Sequence, residues 1–200
     1  MRHTSLVPLL ITLTLGAGPA LAAPTGPSFD CRQVAAGSIP ALICQDAGLS
    51  ALDRQLAQVY AQASQKARTE RPPRLKAEQR GWIKGRDDCW KAQDQASCVR
   101  GETQRRIAEL QARYRLVPSI ATARYRCDDA PGSEVLATYF RTEPPSLIAE
   151  RGDQQSLMFS VPSASGAKYE GRNEMLWEHQ GEAQVVWGYG ATPLRCKKQD

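Results

Sequence analysis

Two hydrophobic rhythms divide the chain. From about Phe29 to Leu116 apolar residues recur at helical spacing, and beyond Thr122 they alternate. Leu52, Leu56, Val59, Tyr60 and Ala63 form one helical stripe, preceded by Ser50-Ala-Leu-Asp53, which has the form of a capping box. Arg71-Pro72-Pro73 interrupts that stripe, because proline suits a first helical turn and not an interior. A second helix is predicted from Pro73 to about Cys89, with Leu75, Trp82 and Ile83 inward. A third runs from about Ser97 to Arg115, with Ile107, Leu110 and Tyr114 on one face. Past Val117-Pro118-Ser119 the pattern predicts short strands over 124–127, 134–140, 147–150, 156–161, 174–178 and 183–187. Pro131-Gly132, Pro144-Pro145, Gly152-Asp153, Gly171 and Gly181 punctuate them as turns.

The fold expected is therefore α+β in two domains. A small disulfide-stapled helical domain (23–116) precedes a linker (117–121) and a small antiparallel β-barrel (122–200). The first 22 residues read as a signal peptide: Arg2 and His3, an apolar run from Leu6 to Leu15, then Ala20-Leu21-Ala22 as a cleavage signal. That run is shorter than the roughly 20 residues a membrane span needs. No cysteine lies near the cleavage point, so a periplasmic or secreted protein without a lipoprotein anchor is expected.

Six cysteines, Cys31, Cys44, Cys89, Cys98, Cys127 and Cys196, all follow the signal, and an oxidising compartment favours three disulfides. Sequence alone does not choose the pairing. The scheme Cys31–Cys44, Cys89–Cys98 and Cys127–Cys196 keeps each bridge within one domain and is preferred for that reason. No C-x-x-C pair occurs and the mature chain has one histidine, His179, so neither a zinc site nor any cofactor is expected. Asp87-Asp88 reads as a solvated helix-end pair rather than a metal site.

Charge differs between the halves. Residues 23–121 hold 16 Lys and Arg against 10 Asp and Glu, and residues 122–200 hold 9 against 11. A basic helical face is ordinarily just solvated surface. The alternative is weak contact with anionic envelope polymers. Nucleic acid is disfavoured by export.

Within the β half, Ser163-Ala-Ser165-Gly166-Ala-Lys168-Tyr169 is followed by Leu176-Trp177-Glu178-His179-Gln-Gly-Glu182-Ala183. Tyr125-Arg-Cys127-Asp128, Val135-Leu-Ala-Thr138 and Cys196 flank them. Together they resemble the membrane-bound and periplasmic inhibitors of c-type lysozyme. In the helical half, Phe29-Asp30-Cys31, Ile43-Cys44, Leu52-Asp53-Arg54-Gln55-Leu56, Glu78-Gln79-Arg80-Gly81-Trp82 and Arg86-Asp87-Asp88-Cys89 resemble the LprI-type lysozyme inhibitors. The resemblance implies a protein inhibitor, not an enzyme, whose partner is c-type lysozyme. It implies a loop seated in the lysozyme cleft with Ser165 hydrogen-bonded to the catalytic carboxyls, Gly166 allowing close approach and Tyr169 bracing the loop. The family's second contact is a lysine, replaced here by His179, and Lys168 is the nearby source of fixed positive charge. A histidine changes charge between about pH 5 and 8, so binding is expected to tighten from pH 7.5 to 5.5.

Competing readings are weaker. Ser165-Gly-Ala-Lys168 fits S-x-x-K, yet neither S-D-N nor K-T-G occurs, and a triad would depend on the lone His179. A plainer and weaker alternative takes the loop as only a surface turn, since Ser, Gly and Ala are ordinary loop residues. Trp177 and Trp187, and in the helical half Trp82 and Trp90, read as core. The rival from another class is an envelope adaptor that binds wall polymer or an exported protein through the basic helices.

Overall fold

Local signals at the helix starts explain the N-terminal half. In the structure, a computed structural model describing residues 26–69, 73–128 and 133–199, four α-helices precede eight strands. The leader and the turn at Pro131-Gly132 lie outside the described residues. Helix α1 (Ile39–Gln45) starts behind Ser38, whose side chain accepts from the Ala41 amide, with Pro40 in its first turn. Helix α2 (Ala47–Lys66) is capped by Asp46, which accepts from Leu49 N at 2.9 Å. Ser50 is therefore not the cap. It lies one turn inside α2, buried, and donates its hydroxyl to the Ile43 carbonyl at 2.7 Å, tying α2 to α1. Asp46 is as good a cap residue as serine, and starting there places Leu49 in the core.

Helix α3 (Leu75–Asp87) and helix α4 (Gln95–Arg113, capped by Asp94) form a hairpin. The disulfide Cys89–Cys98 closes its turn, while Cys31–Cys44 ties the N-terminal segment to α1. One apolar cluster gathers Leu56, Val59, Ala63, Leu75, Ile107 and Leu110, and a second gathers Ile39, Ile43, Leu49, Cys89 and Val99. Ile83 and Trp90 were expected inside and are instead 38% and 61% exposed. A lone amphipathic helix offers one stripe to the core, and on α3 Leu75 and Trp82 occupy it. Trp90 sits on the short turn after α3, with the Lys91 ammonium 5.5 Å from its ring centre.

The C-terminal half is a closed antiparallel barrel in simple meander order. Its strands are β1 (Ser119–Cys127), β2 (Glu134–Phe140), β3 (Ser146–Arg151), β4 (Gln154–Val161), β5 (Ala167–Glu170), β6 (Glu174–His179), β7 (Glu182–Trp187) and β8 (Leu194–Gln199). β1 thus reaches back into the segment read as a linker. Strands β5 and β8 were not anticipated: β5 is four residues long, and β8 offers only Leu194 and Cys196 as apolar positions. Alternate residues fill the interior, among them Tyr125, Val135, Ala137, Leu147, Ala149, Met158, Leu176 and Val185. Cys127 faces Cys196 across the β1–β8 pairing, and their disulfide fastens the first strand to the last.

The helices cover one side of the barrel. Phe140, Ile148 and Leu157, on the outside of β2, β3 and β4, pack with Ala112 of α4 and with Val117. The guanidinium groups of Arg115 and Arg105 lie 4.8 and 5.5 Å from the ring centres of Phe140 and Phe159. Around a closed ring of eight strands, β7 lies across from β3, so the outer face of β6, β7 and β8 points away from the helices.

Candidate functional site

The segment Pro162–Gly166 joins β4 to β5, and three contacts fix its shape. Ser163 Oγ lies 3.0 Å from the Ser165 carbonyl and 3.1 Å from that of Gly166, and donates to them. The indole Nε1 of Trp177 on β6 donates to the Ser165 carbonyl at 2.9 Å. Gly166 adopts φ +67°, in the left-handed region that glycine enters without strain. A β-carbon there would stand 2.1 Å from the Glu178 carbonyl oxygen, so the loop is pressed directly against the β6 backbone. Two donors thus hold the Ser165 carbonyl, and its exposed hydroxyl has no hydrogen-bond partner among the described residues.

Inside the barrel lies a cluster of phenols. Tyr169 points from β5 into the barrel and meets Tyr139 edge-on, ring centres 5.6 Å apart. The hydroxyls of Tyr125 and Tyr139 are 3.1 Å apart. Burial pushes the phenols of Tyr125, Tyr139 and Tyr169 above the ordinary tyrosine range. For Tyr139 the Tyr125 hydroxyl and the negative charge of Glu178 add to that rise. Tyr169 is thus anchored in the barrel interior, where burial favours the neutral form of all three phenols.

Outside, the register lines up side chains in rows across neighbouring strands. One row runs Lys168, Trp177, Gln184, Arg195, and the next His179, Glu182, Lys197, Arg126. Ser165, Trp177, His179, Gln184, Arg195 and Lys197, with Asp128 and Glu182, wall a groove of about 530 Å³. Of the residues expected to act together, Ser165 and His179 share this groove. Gly166 lies against the β6 backbone, and Tyr169 points into the barrel; neither lines the groove. Lys168 does not line it: its ammonium is 2.6 Å from Glu170 on its own strand.

Sequence reasoning misplaced Trp177 and missed Arg195 and Lys197. Trp187 packs on the barrel core, but Trp177 faces outward into the groove. Met175-Leu176-Trp177 is three apolar residues in a row, so alternation alone leaves the strand's phase open. Arg195 and Lys197 flank a disulfide cysteine on a strand with little apolar signal, and only the β7–β8 register brings them to the groove.

The helical half has a cleft of its own, of about 560 Å³, walled by Phe29, Leu56, Tyr60, Trp82 and Ile83. At its base Asp53 accepts from Ser28 N and Oγ at 2.7 and 2.6 Å. Arg86, buried beside it, binds Asp87 at 2.7 Å, lies 4.0 Å from Asp53, and stacks 5.4 Å from the Trp82 ring centre.

Comparison with known proteins accords with both halves. Residues 125–193 match the family of membrane-bound lysozyme-inhibitor of c-type lysozyme, and residues 31–110 match lysozyme inhibitor LprI. Such proteins form a class of lysozyme inhibitors, which bind an enzyme rather than act as one. Lipoprotein LprI of Mycobacterium bovis and that of Mycobacterium tuberculosis are each 30% identical to this chain over 167 residues, covering 84% of this chain and 82% of theirs. The chain belongs to the LprI family of lysozyme inhibitors and carries its barrel and helical domains together. No described helix is long and apolar enough to cross a membrane.

Proposed function

We propose that this chain inhibits c-type lysozyme by seating the Ser165 loop in the catalytic cleft. Lysozyme cuts glycan with one carboxyl kept protonated and one ionised. A hydroxyl serves both, since it donates to a carboxylate and accepts from a carboxylic acid. The observation that carries this reading is the loop itself. The Ser165 carbonyl is held by Trp177 and Ser163, Gly166 is fixed against β6, and the Ser165 hydroxyl is left for an outside partner. A loop already held in its binding shape loses little entropy on docking. His179 lines the same groove beside the Ser165 loop and offers a second polar contact there.

Place of action follows from the same features. Three disulfides suit an oxidising compartment, and the relatives are named lipoproteins. We place the protein outside the cytoplasm. The names of these relatives give no support to the expectation of a chain without a lipid anchor.

The test is lysis of a cell-wall suspension by c-type lysozyme, titrated with the purified protein and with Ser165→Ala. Stoichiometric inhibition by the wild type and about tenfold weaker inhibition by the variant are expected. Equal inhibition by both would remove the loop from the mechanism. A second reading, an envelope adaptor, is favoured by one observation only, the aromatic cleft of the helical domain. Retention of the full chain on purified cell wall at physiological salt, lost in Trp82→Ala, would support it.

A further inference from the structure

The cations on the outer face of the barrel fall into two groups. On β1, Arg124 is 2.7 Å and Arg126 3.8 Å from the carboxylate of Glu134. On β5, Lys168 is engaged by Glu170. These charges are answered within the chain. On β8, Arg195 and Lys197 are both exposed, and among the described residues neither has an ion-pair partner, although Asp128 and Glu182 line the same groove.

We propose that β8 supplies the fixed positive charge of the lysozyme-binding groove, with Arg195 and Lys197 pairing with the acidic groups of the enzyme's cleft. The inference rests on the reading given under Proposed function and adds two specificity-determining residues to it. Arg195 lies in the same cross-strand row as Trp177, and Lys197 in the same row as His179, two strands over in each case. At roughly 4.8 Å per strand that is about 10 Å, a span long side chains bridge toward a ligand seated between them. The guanidinium fork of Arg195 fits a carboxylate in two parallel hydrogen bonds, which a lysine cannot do.

Position is set by the covalent framework. Cys196 stands between the two cations and is bonded to Cys127, so the strand bearing them is clamped to β1. With no ion-pair partner among the described residues, they give up no salt bridge to those residues on binding. C-type lysozymes are generally basic, so these charges oppose association over most of the enzyme's surface. Screening limits that repulsion to about 8 Å at physiological salt. The net effect is selective: attraction arises only where carboxyl groups face the groove.

The experiment uses the whole protein against c-type lysozyme at pH 7.5, read by inhibition of lysis and by titration calorimetry. Arg195→Ala and Lys197→Ala are each expected to weaken binding about tenfold, and Arg195→Glu about a hundredfold. Arg172→Glu, exposed in the β5–β6 turn and outside the groove, should stay within about twofold of wild type. Unchanged melting temperatures are expected, since all three positions are exposed. Wild-type affinity in Arg195→Ala, Lys197→Ala and Arg195→Glu, with the unmodified protein still inhibiting, would overturn the assignment to β8 and leave the loop reading intact. Failure of the unmodified protein to inhibit would bring down the loop reading and this inference together.

Discussion

Replacing Gly166 by alanine is a sharp perturbation of the loop, because it combines two costs that Gly181 allows to be separated. Both glycines have positive φ, +67° and +83°. A left-handed conformation costs a non-glycine residue about 1–2 kcal/mol. At Gly181 that is the whole cost, since an added β-carbon meets nothing within 4 Å. At Gly166 the β-carbon would lie 2.1 Å from the Glu178 carbonyl oxygen, against an ordinary carbon–oxygen contact of about 3.3 Å. The loop and β6 must then separate by roughly 1 Å, with an overpacking cost of about 1–3 kcal/mol. The movement also pulls the Ser165 carbonyl from Trp177 Nε1 and strains the Ala167–Glu178 pairing. Losing the hydrogen bond adds about 1 kcal/mol. Gly166→Ala should therefore destabilise by about 3–6 kcal/mol, and Gly181→Ala by about 1–2 kcal/mol. Urea unfolding followed by tryptophan fluorescence measures both, and lysis inhibition measures the loop. Equal stability of the two variants, with full inhibition by Gly166→Ala, would refute the claim that the loop is pinned against β6.

Three further outcomes follow from the same structure. Trp177→Phe removes the indole donor but keeps the ring, so stability should fall by about 1 kcal/mol and inhibition several-fold; unchanged inhibition would show that the Ser165 carbonyl needs no such support. Cys127→Ala with Cys196→Ala opens a cross-link between residues 69 apart and should cost about 4 kcal/mol on the chain-entropy estimate, checked by denaturant midpoint. The phenols of Tyr125, Tyr139 and Tyr169 are held above the ordinary range by burial, so their contribution to stability is full below about pH 10 and is lost as pH rises beyond it, when the unfolded chain ionises first. Ultraviolet titration should find these phenols protonated at pH 10, with ionisation coinciding with unfolding.

The division into helices and strands was legible because the two periodicities differ and each half is long enough to show its own. Keeping each bridge within one domain also led to the pairing the structure contains. What stayed hidden depended on the third dimension. Helix α1 is seven residues long and β5 four, too short for periodicity to register. Ser50 had the right residue type for a cap, but Asp46 competes on equal terms and the burial of Leu49 decides between them. Ser165 and His179 were singled out from a resemblance, and the sheet register brings them to one groove. Lys168 was one strand position from that groove and is spoken for by Glu170, a pairing that spacing alone did not reveal.

Phe140 and Ile148, 1% and 2% exposed where α4 crosses the barrel, tie the fate of the two halves together. Burying two such side chains is worth about 3–6 kcal/mol, comparable to the net stability of a small domain. A barrel cut free at Ser119 would bare Phe140, Ile148, Leu157 and Phe159 on three adjacent strands, an oily stripe of the kind that drives self-association. A solitary barrel of this design needs polar side chains at those positions to remain monomeric. This chain has instead committed its outer wall to the helices, so the two modules are expected to melt together in one transition.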